Sequence, residues 1–220
     1  MDHILWCTGH DLILPDIVKG KGCWLYDAQG NRYLDLESGV WCLPLGHNHP
    51  GVNQALKDQI DRITHTGYNY ADPIIAKTAK SILDLLDFKN GRCIFLSSGS
   101  EAVEFGIQAL RRISGKPLLL TLADSFLGAY GSAGKRNAAE WFLFDWAPCN
   151  VCPKATVCDP ECGHLAAIPF DKIGGFVFEP GSSSGLVRFP PRGLINVLMD
   201  RVHRHAGFIH INEITTGLGR

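Results

Sequence analysis

Apolar positions along the chain follow two periods, and the change from one to the other outlines the expected elements. Near the start, Cys23-Trp24-Leu25-Tyr26 is an apolar run, Asp27-Ala28-Gln29-Gly30-Asn31 carries turn residues, and Arg32-Tyr33-Leu34-Asp35-Leu36 alternates. That order predicts a β-hairpin. Gly- and Pro-rich turns follow, and Val52, Ala55, Leu56, Ile60 and Ile63 then recur at helical spacing behind Pro50, which suits a first helical position. A second amphipathic helix is expected from Asp72, its cap, to Phe88, with Pro73 at its first position, before Asn90-Gly91 ends it.

The segment RCIFLSSGSEAVEFGIQALRR at 92–112 is the centre of the pattern. Cys93-Ile94-Phe95-Leu96 has strand length and composition, and Val103, Phe105, Ile107 and Leu110 beyond it have helical spacing. A strand, a tight turn and a helix are therefore expected, with Ser100 as cap, Glu101 and Glu104 in the first turn, and Arg111 and Arg112 in the last. The unpaired N–H groups at such a helix start, joined by serine hydroxyls, form a seat for a phosphate or another anion. Further strands are expected at residues 117–122, 142–144, 175–178 and 207–211, with a helix at 193–205. Strands alternating with helices point to a parallel α/β sheet covered on both faces. In such a sheet, ligands gather beyond the carboxyl ends of the strands, where Ser97 to Ser100, Glu179 and Asn212-Glu213 all fall.

Composition narrows the classes of function. A chain of 220 residues, 45% hydrophobic and 20% charged with net charge −1, is that of a soluble globular protein of one or two domains. No broad basic surface is implied, which argues against nucleic acid or an anionic membrane as partner. No apolar run reaches membrane-span length, and acidic residues occupy the start where a signal peptide would be basic, so the expected compartment is the cytoplasm. No G-x-G-x-x-G follows a strand, which disfavours a dinucleotide.

Eight cysteines fall into two groups. Cys7, Cys23, Cys42 and Cys93 are scattered among apolar residues and read as small buried hydrophobes. Cys149, Cys152, Cys158 and Cys162 lie in CNVCPKATVCDPECGH at 149–164, spaced C-x2-C-x5-C-x3-C. Four thiolates in a loop broken by Pro153, Pro160 and Gly163 can wrap one tetrahedral metal such as zinc, or hold an iron–sulfur cluster. Disulfides are disfavoured in the cytoplasm. His47 and His49 flank an Asn on a turn with no third ligand nearby, so a structural role in the turn is expected for them.

SGSEAVE at 98–104 resembles the phosphate-binding turn of class III (ornithine/GABA-type) aminotransferases, pyridoxal-phosphate enzymes of fold type I. The resemblance extends, in the family's order, to NRYLDLESGV at 31–40, LGHNHPGVNQAL at 45–56, FEP at 178–180, PPRGLINVL at 190–198 and NEITTGLGR at 212–220. It implies an α/β fold of type I, a mostly parallel sheet sandwiched by helices, with residues 1–45 a small N-terminal segment carrying the hairpin. Residues 46–220 would then be an incomplete cofactor-binding domain, interrupted by the Cys-rich insertion at about 147–165, which is no part of the family pattern.

By the same resemblance, Ser98, Gly99 and Ser100 would seat the cofactor phosphate. Phe126, with Gly128, would stack on one face of the ring, although Leu127 stands where the family has histidine. Ile214 would pack on the other face, Thr215 and Thr216 would stand near the ring hydroxyl or a phosphate, Glu179 would lie beside the pocket, and Trp41 would line it for substrate. Asn212 would face the ring nitrogen where the family has aspartate. Asn brings no negative charge, so the ring nitrogen should stay mostly neutral and the ring should be a weaker electron sink. Glu213 is a poor substitute, because adjacent strand residues point to opposite faces.

The implied activity is transfer of an amino group between an amino donor and a keto acid or aldehyde, in a homodimer or with a partner chain. The lysine that holds the cofactor in the family lies downstream of this motif, beyond Arg220. The other reading is a catalytically inert fragment or subunit of the same fold, with a structural metal-binding loop. Half of such a fold should expose apolar edges, so aggregation, dimerisation or a covering partner is expected.

Overall fold

The computed structural model describes residues 3–4, 12–14, 16–67, 69–183 and 187–219. By packing, the chain divides into two compact units, residues 1–92 and 93–220, whereas the sequence expectation drew its boundary at 45/46.

The first unit opens with a three-stranded antiparallel sheet in the order β1-β2-β3, made of β1 (Ile17–Lys21), β2 (Trp24–Asp27) and β3 (Arg32–Leu34). The expected hairpin is β2–β3. Its turn is held by Asp27, whose carboxylate accepts the N–H groups of Gln29 and Asn31, the Asn31 amide and the Tyr33 hydroxyl, all within 3.0 Å. Burial pushes the Asp27 carboxyl up, but these four donors outweigh it and hold it below its usual value. The short element α1 (Ser38–Trp41) is no right-handed helix, since Ser38, Gly39, Val40 and Trp41 all have φ between 53 and 61°. His47 pairs with Asp35 at 2.7 Å, which accounts for that histidine structurally. Gly46, with φ of +76°, lets the backbone pass Gly22, whose carbonyl oxygen a Cβ would meet at 2.8 Å.

Helices α2 (Pro50–Arg62) and α3 (Pro73–Leu85) begin as expected, with Pro50 and Pro73 in their first turns and the Asp72 carboxylate accepting the Ile74 N–H. Neither helix buries a residue among those described; Leu56, Ile60, Ile75 and Leu85 are all more than half exposed.

The second unit contains the core. Its sheet has four parallel strands in the order β5-β4-β6-β7: β4 (Leu118–Leu122), β5 (Trp141–Phe144), β6 (Ile173–Phe178) and β7 (Phe208–Ile211). Side chains alternate across it, so each face receives one helix. On one face, Leu119 and Val177 pack with Val103, Ile107 and Leu110 of α4 (Gly99–Ser114). On the other, Leu120, Leu122, Phe176 and Phe178 pack with Leu194, Leu198 and Val202 of α6 (Arg192–Arg204). A four-residue helical turn, α5 (Gly131–Gly134), rests near α4.

Four expectations need correction. Residues 93–96 form no strand; Ile94, Phe95 and Leu96 are 42–55% exposed, because an extended apolar segment becomes a strand only where a neighbour pairs with its backbone. The cap of α4 is Ser98, whose Oγ accepts the Glu101 N–H at 3.2 Å, and Ser100 lies inside the first turn. Glu104 lies beyond that turn and accepts the Ser132 N–H. Cys23 and Cys42 are exposed and Cys93 half-buried, rather than buried; Cys7 lies outside the described residues.

Candidate functional site

The strand order fixes where a site can form. From β4 the chain goes outward to β5, then returns to the other side of β4 for β6 and β7. The connections therefore part at the carboxyl ends of β4 and β6, which opens a crevice there. Helix α4 precedes β4 and runs back along the sheet, so its N-terminus lies at the same edge.

Four segments meet at that edge. After β4, the 123–130 loop turns its side chains in two directions: Leu127 is 1% exposed and joins the α4-side core, while Phe126 is half exposed. Gly128, with φ of +127°, brings this loop against the first turn of α4, where a Cβ would lie 3.2 Å from the Ser100 Cα. The Ala129 N–H then donates to Ser100 Oγ at 3.0 Å. After β6, Glu179 is 2% exposed; its carboxylate accepts the Phe126 N–H at 2.7 Å and the Ser183 hydroxyl at 2.6 Å. After β7, Asn212 is 5% exposed, and its Nδ2 donates to the Phe126 carbonyl at 3.2 Å while its Oδ1 accepts the Ile214 N–H at 3.2 Å. Ile214 reaches back to the start of α4, where a Cβ on Gly99 would meet it at 2.8 Å.

Ser98, Gly99, Ser100, Phe126, Gly128, Glu179, Asn212 and Ile214 are thus joined into one constellation by direct contacts. Thr215 is half-buried in the turn that follows, and the Oγ1 of Thr216 is buried without a partner. Glu213 is exposed, as the strand parity required. Trp41 belongs to the first unit, in its left-handed turn.

Burial pushes the Glu179 carboxyl up from its ordinary value, against the pull of its Ser183 and Phe126 hydrogen bonds. Sequence reasoning missed Arg136. Burial lowers its guanidinium, the Glu179 charge raises it, and its Nη1 is buried with no hydrogen-bond partner among the described residues. Nothing in the polar stretch GKRNAAE signals this.

A family model for class-III aminotransferases matches residues 7–132, more than half of the chain. The chain belongs to the class-III aminotransferases. Among curated members, the acetylornithine aminotransferase of Mycolicibacterium smegmatis is 31% identical over 207 residues, covering 93% of this chain and 52% of that protein. That of Methanopyrus kandleri is 27% identical over 219 residues, with the same coverage. This class-III chain spans about half the length of the curated relatives it matches. Among solved structures, a taurine:2-oxoglutarate aminotransferase from Bifidobacterium kashiwanohense, in complex with PLP and glutamate, superposes with a TM-score of 0.82 at 20% identity, over 99% of this chain and 55% of that one. The ornithine aminotransferase of Toxoplasma gondii gives 0.78 at 22%, over 96% and 52%. These likenesses give the class-III chain the fold type I architecture.

Proposed function

We propose that this chain binds pyridoxal 5'-phosphate at the edge shared by α4, β4, β6 and β7, and serves an aminotransferase acting between an amino donor and a keto acid or aldehyde. The observation that carries the reading is the joining of the α4 N-terminus to the tip of β7: Ile214 against Gly99, and Asn212 bonded to the Phe126 loop that itself grips Ser100.

The residues fit the cofactor in most respects. The first N–H groups of α4 have no intrahelical partner, and among the described residues only that of Glu101 is taken, by the Ser98 hydroxyl, which leaves a seat for a dianion at Gly99 and Ser100. Phe126 offers an exposed ring on a backbone fixed at both its N–H and its carbonyl, and Ile214 offers an apolar face. Asn212 keeps one amide hydrogen and one lone pair free for a ring nitrogen, but no charge. When bound, the cofactor supplies an electron sink for the substrate carbon next to the transferred nitrogen. The chain's own residues hold its phosphate, fix its ring plane and leave its ring nitrogen neutral. Arg136, with its buried unpaired donor, suits an acidic group on the substrate. The oligomer expected for the whole enzyme, and its cytoplasmic location, belong to this proposal too.

The test is equilibrium binding of pyridoxal 5'-phosphate and of pyridoxal. The phosphate seat predicts at least a tenfold preference for the phosphorylated form, lost in Ser100→Glu, and equal binding of the two would remove the proposal. With ring-15N cofactor, the nitrogen resonance should report the neutral form in the native protein and the protonated form in Asn212→Asp.

A further inference from the structure

The connection between β5 and β6 carries four thiols that the aminotransferase reading leaves unused. Cys149, Cys152, Cys158 and Cys162 are all free and all half-buried. They line a single cavity of about 120 Å³, closed on its inner side by Leu165 and Leu194.

The backbone around this cavity is a chain of tight turns with sulfurs at the corners. The Cys149 N–H donates to the Trp146 carbonyl, Cys152 to Cys149, Ala155 to Cys152, Cys162 to Asp159 and Leu165 to Cys162, at 2.8–3.3 Å. Both ends are anchored. Trp146 is buried and donates its indole N–H to Asp124 at 2.6 Å. His164 is hydrogen-bonded through Nε2 to the Asp145 carbonyl at 2.6 Å, and its ring packs on Phe144. The middle lies on α6: a Cβ at Gly193 would stand 2.7 Å from the carbonyl oxygens of Ala155 and Thr156, and Arg201 donates to the Pro160 carbonyl at 2.9 Å. A loop with so few apolar side chains of its own is thus laid over a helix of the core.

The four sulfurs share the cavity lining with His164, whose Nε2 is bonded to the Asp145 carbonyl, and with Asp159, paired with Lys154 at 3.0 Å. Among the described residues, no three His, Cys, Asp or Glu side chains already stand together as a metal-binding group, so the thiols surround the cavity without a closed tetrahedron. Four converging thiolates repel one another unless a cation lies among them.

We propose that Cys149, Cys152, Cys158 and Cys162 turn inward and bind one zinc ion, which fastens the 146–164 loop over the first turns of α6. Four thiols give four protons to solvent as four Zn–S bonds of about 2.3 Å form. With all four positions filled by protein, the ion has no open site for substrate, and its role is structural. The helix on which the loop lies, α6, is followed by β7, which ends at Ile211, one residue before Asn212.

The experiment measures zinc in the native, reduced protein by mass spectrometry. About one zinc per chain is expected, and cobalt exchanged into the site should give the visible spectrum of a tetrahedral thiolate complex. Cys158→Ser with Cys162→Ser should abolish the zinc, whereas Cys23→Ser should retain it. Since the double variant can fail to fold, native protein is also stripped with a chelator: its Tm should fall and return with zinc alone. Zinc-free native protein, zinc that survives the double substitution, iron with acid-labile sulfide, or a disulfide among the four would each overturn the proposal. None of these readouts depends on pyridoxal phosphate, so this site and the cofactor site stand or fall separately.

Discussion

Glu179 is a buried carboxyl that three hydrogen bonds do not restore to its ordinary value. The folded chain therefore keeps its proton at a pH where the unfolded chain, at 4.5, has released it. Its contribution to stability is full below that value and is lost as pH rises through the folded value, each unit of displacement being worth about 1.4 kcal/mol. Urea midpoints recorded from pH 4 to 8 should show this decline, and Glu179→Gln should flatten it. An unchanged profile in the variant would mean that burial does not raise this carboxyl in the folded chain. The residue itself was legible, since a carboxylate directly after the apolar run 175–178 must fall at a strand tip. Likewise Asn212 and Glu213 were separable by parity alone. Arg136 was not legible, because only the folded chain decides which of the many polar residues has a nitrogen buried, as its Nη1 is. Nor could the choice of cap among Ser97, Ser98 and Ser100 be read, since all three are competent and the extended backbone of Ser98 decides it.

At the scale of elements, α6 couples the two proposed sites, with the thiol loop on its first turn and β7 following its last. Leu198, fully buried against the sheet, should cost about 2–5 kcal/mol on truncation to alanine, whereas Leu56 on α2, 58% exposed, should cost well under about 1 kcal/mol. Urea denaturation of the two variants measures both. The existence of α2, α3, α4 and α6 was legible, from apolar spacing, Pro at the first turn and Asp72 at the cap, whereas the short α5 was not. Burial was not. The stripes of α2 and α3 predict an apolar face but not what covers it, and the run at 93–96 predicts strand composition but not a pairing neighbour. Strand β1, IVKGK, was missed because two lysines and a glycine give no alternation. Its place comes from pairing with β2.

Across the whole molecule, the described core lies in the second unit: both buried clusters fall within residues 103–202, and among the described residues of the first unit Asp27 and Gly91 alone are buried. Hydrogen exchange should follow that division. Amides of β4, β6 and α6 should exchange only on global unfolding, and those of α2 and α3 through local opening, orders of magnitude faster. Equal protection in both units would contradict it. The peptide unit of Phe126, held by Glu179 on one side and Asn212 on the other, couples two neighbouring strands to one aromatic ring. Were β7 to slip by a single position past β6, the carboxamide would swing outward and the ring would lose half of its mooring. The backbone beneath that ring is therefore placed by strand alignment deep in the sheet as well as by the loop that carries it.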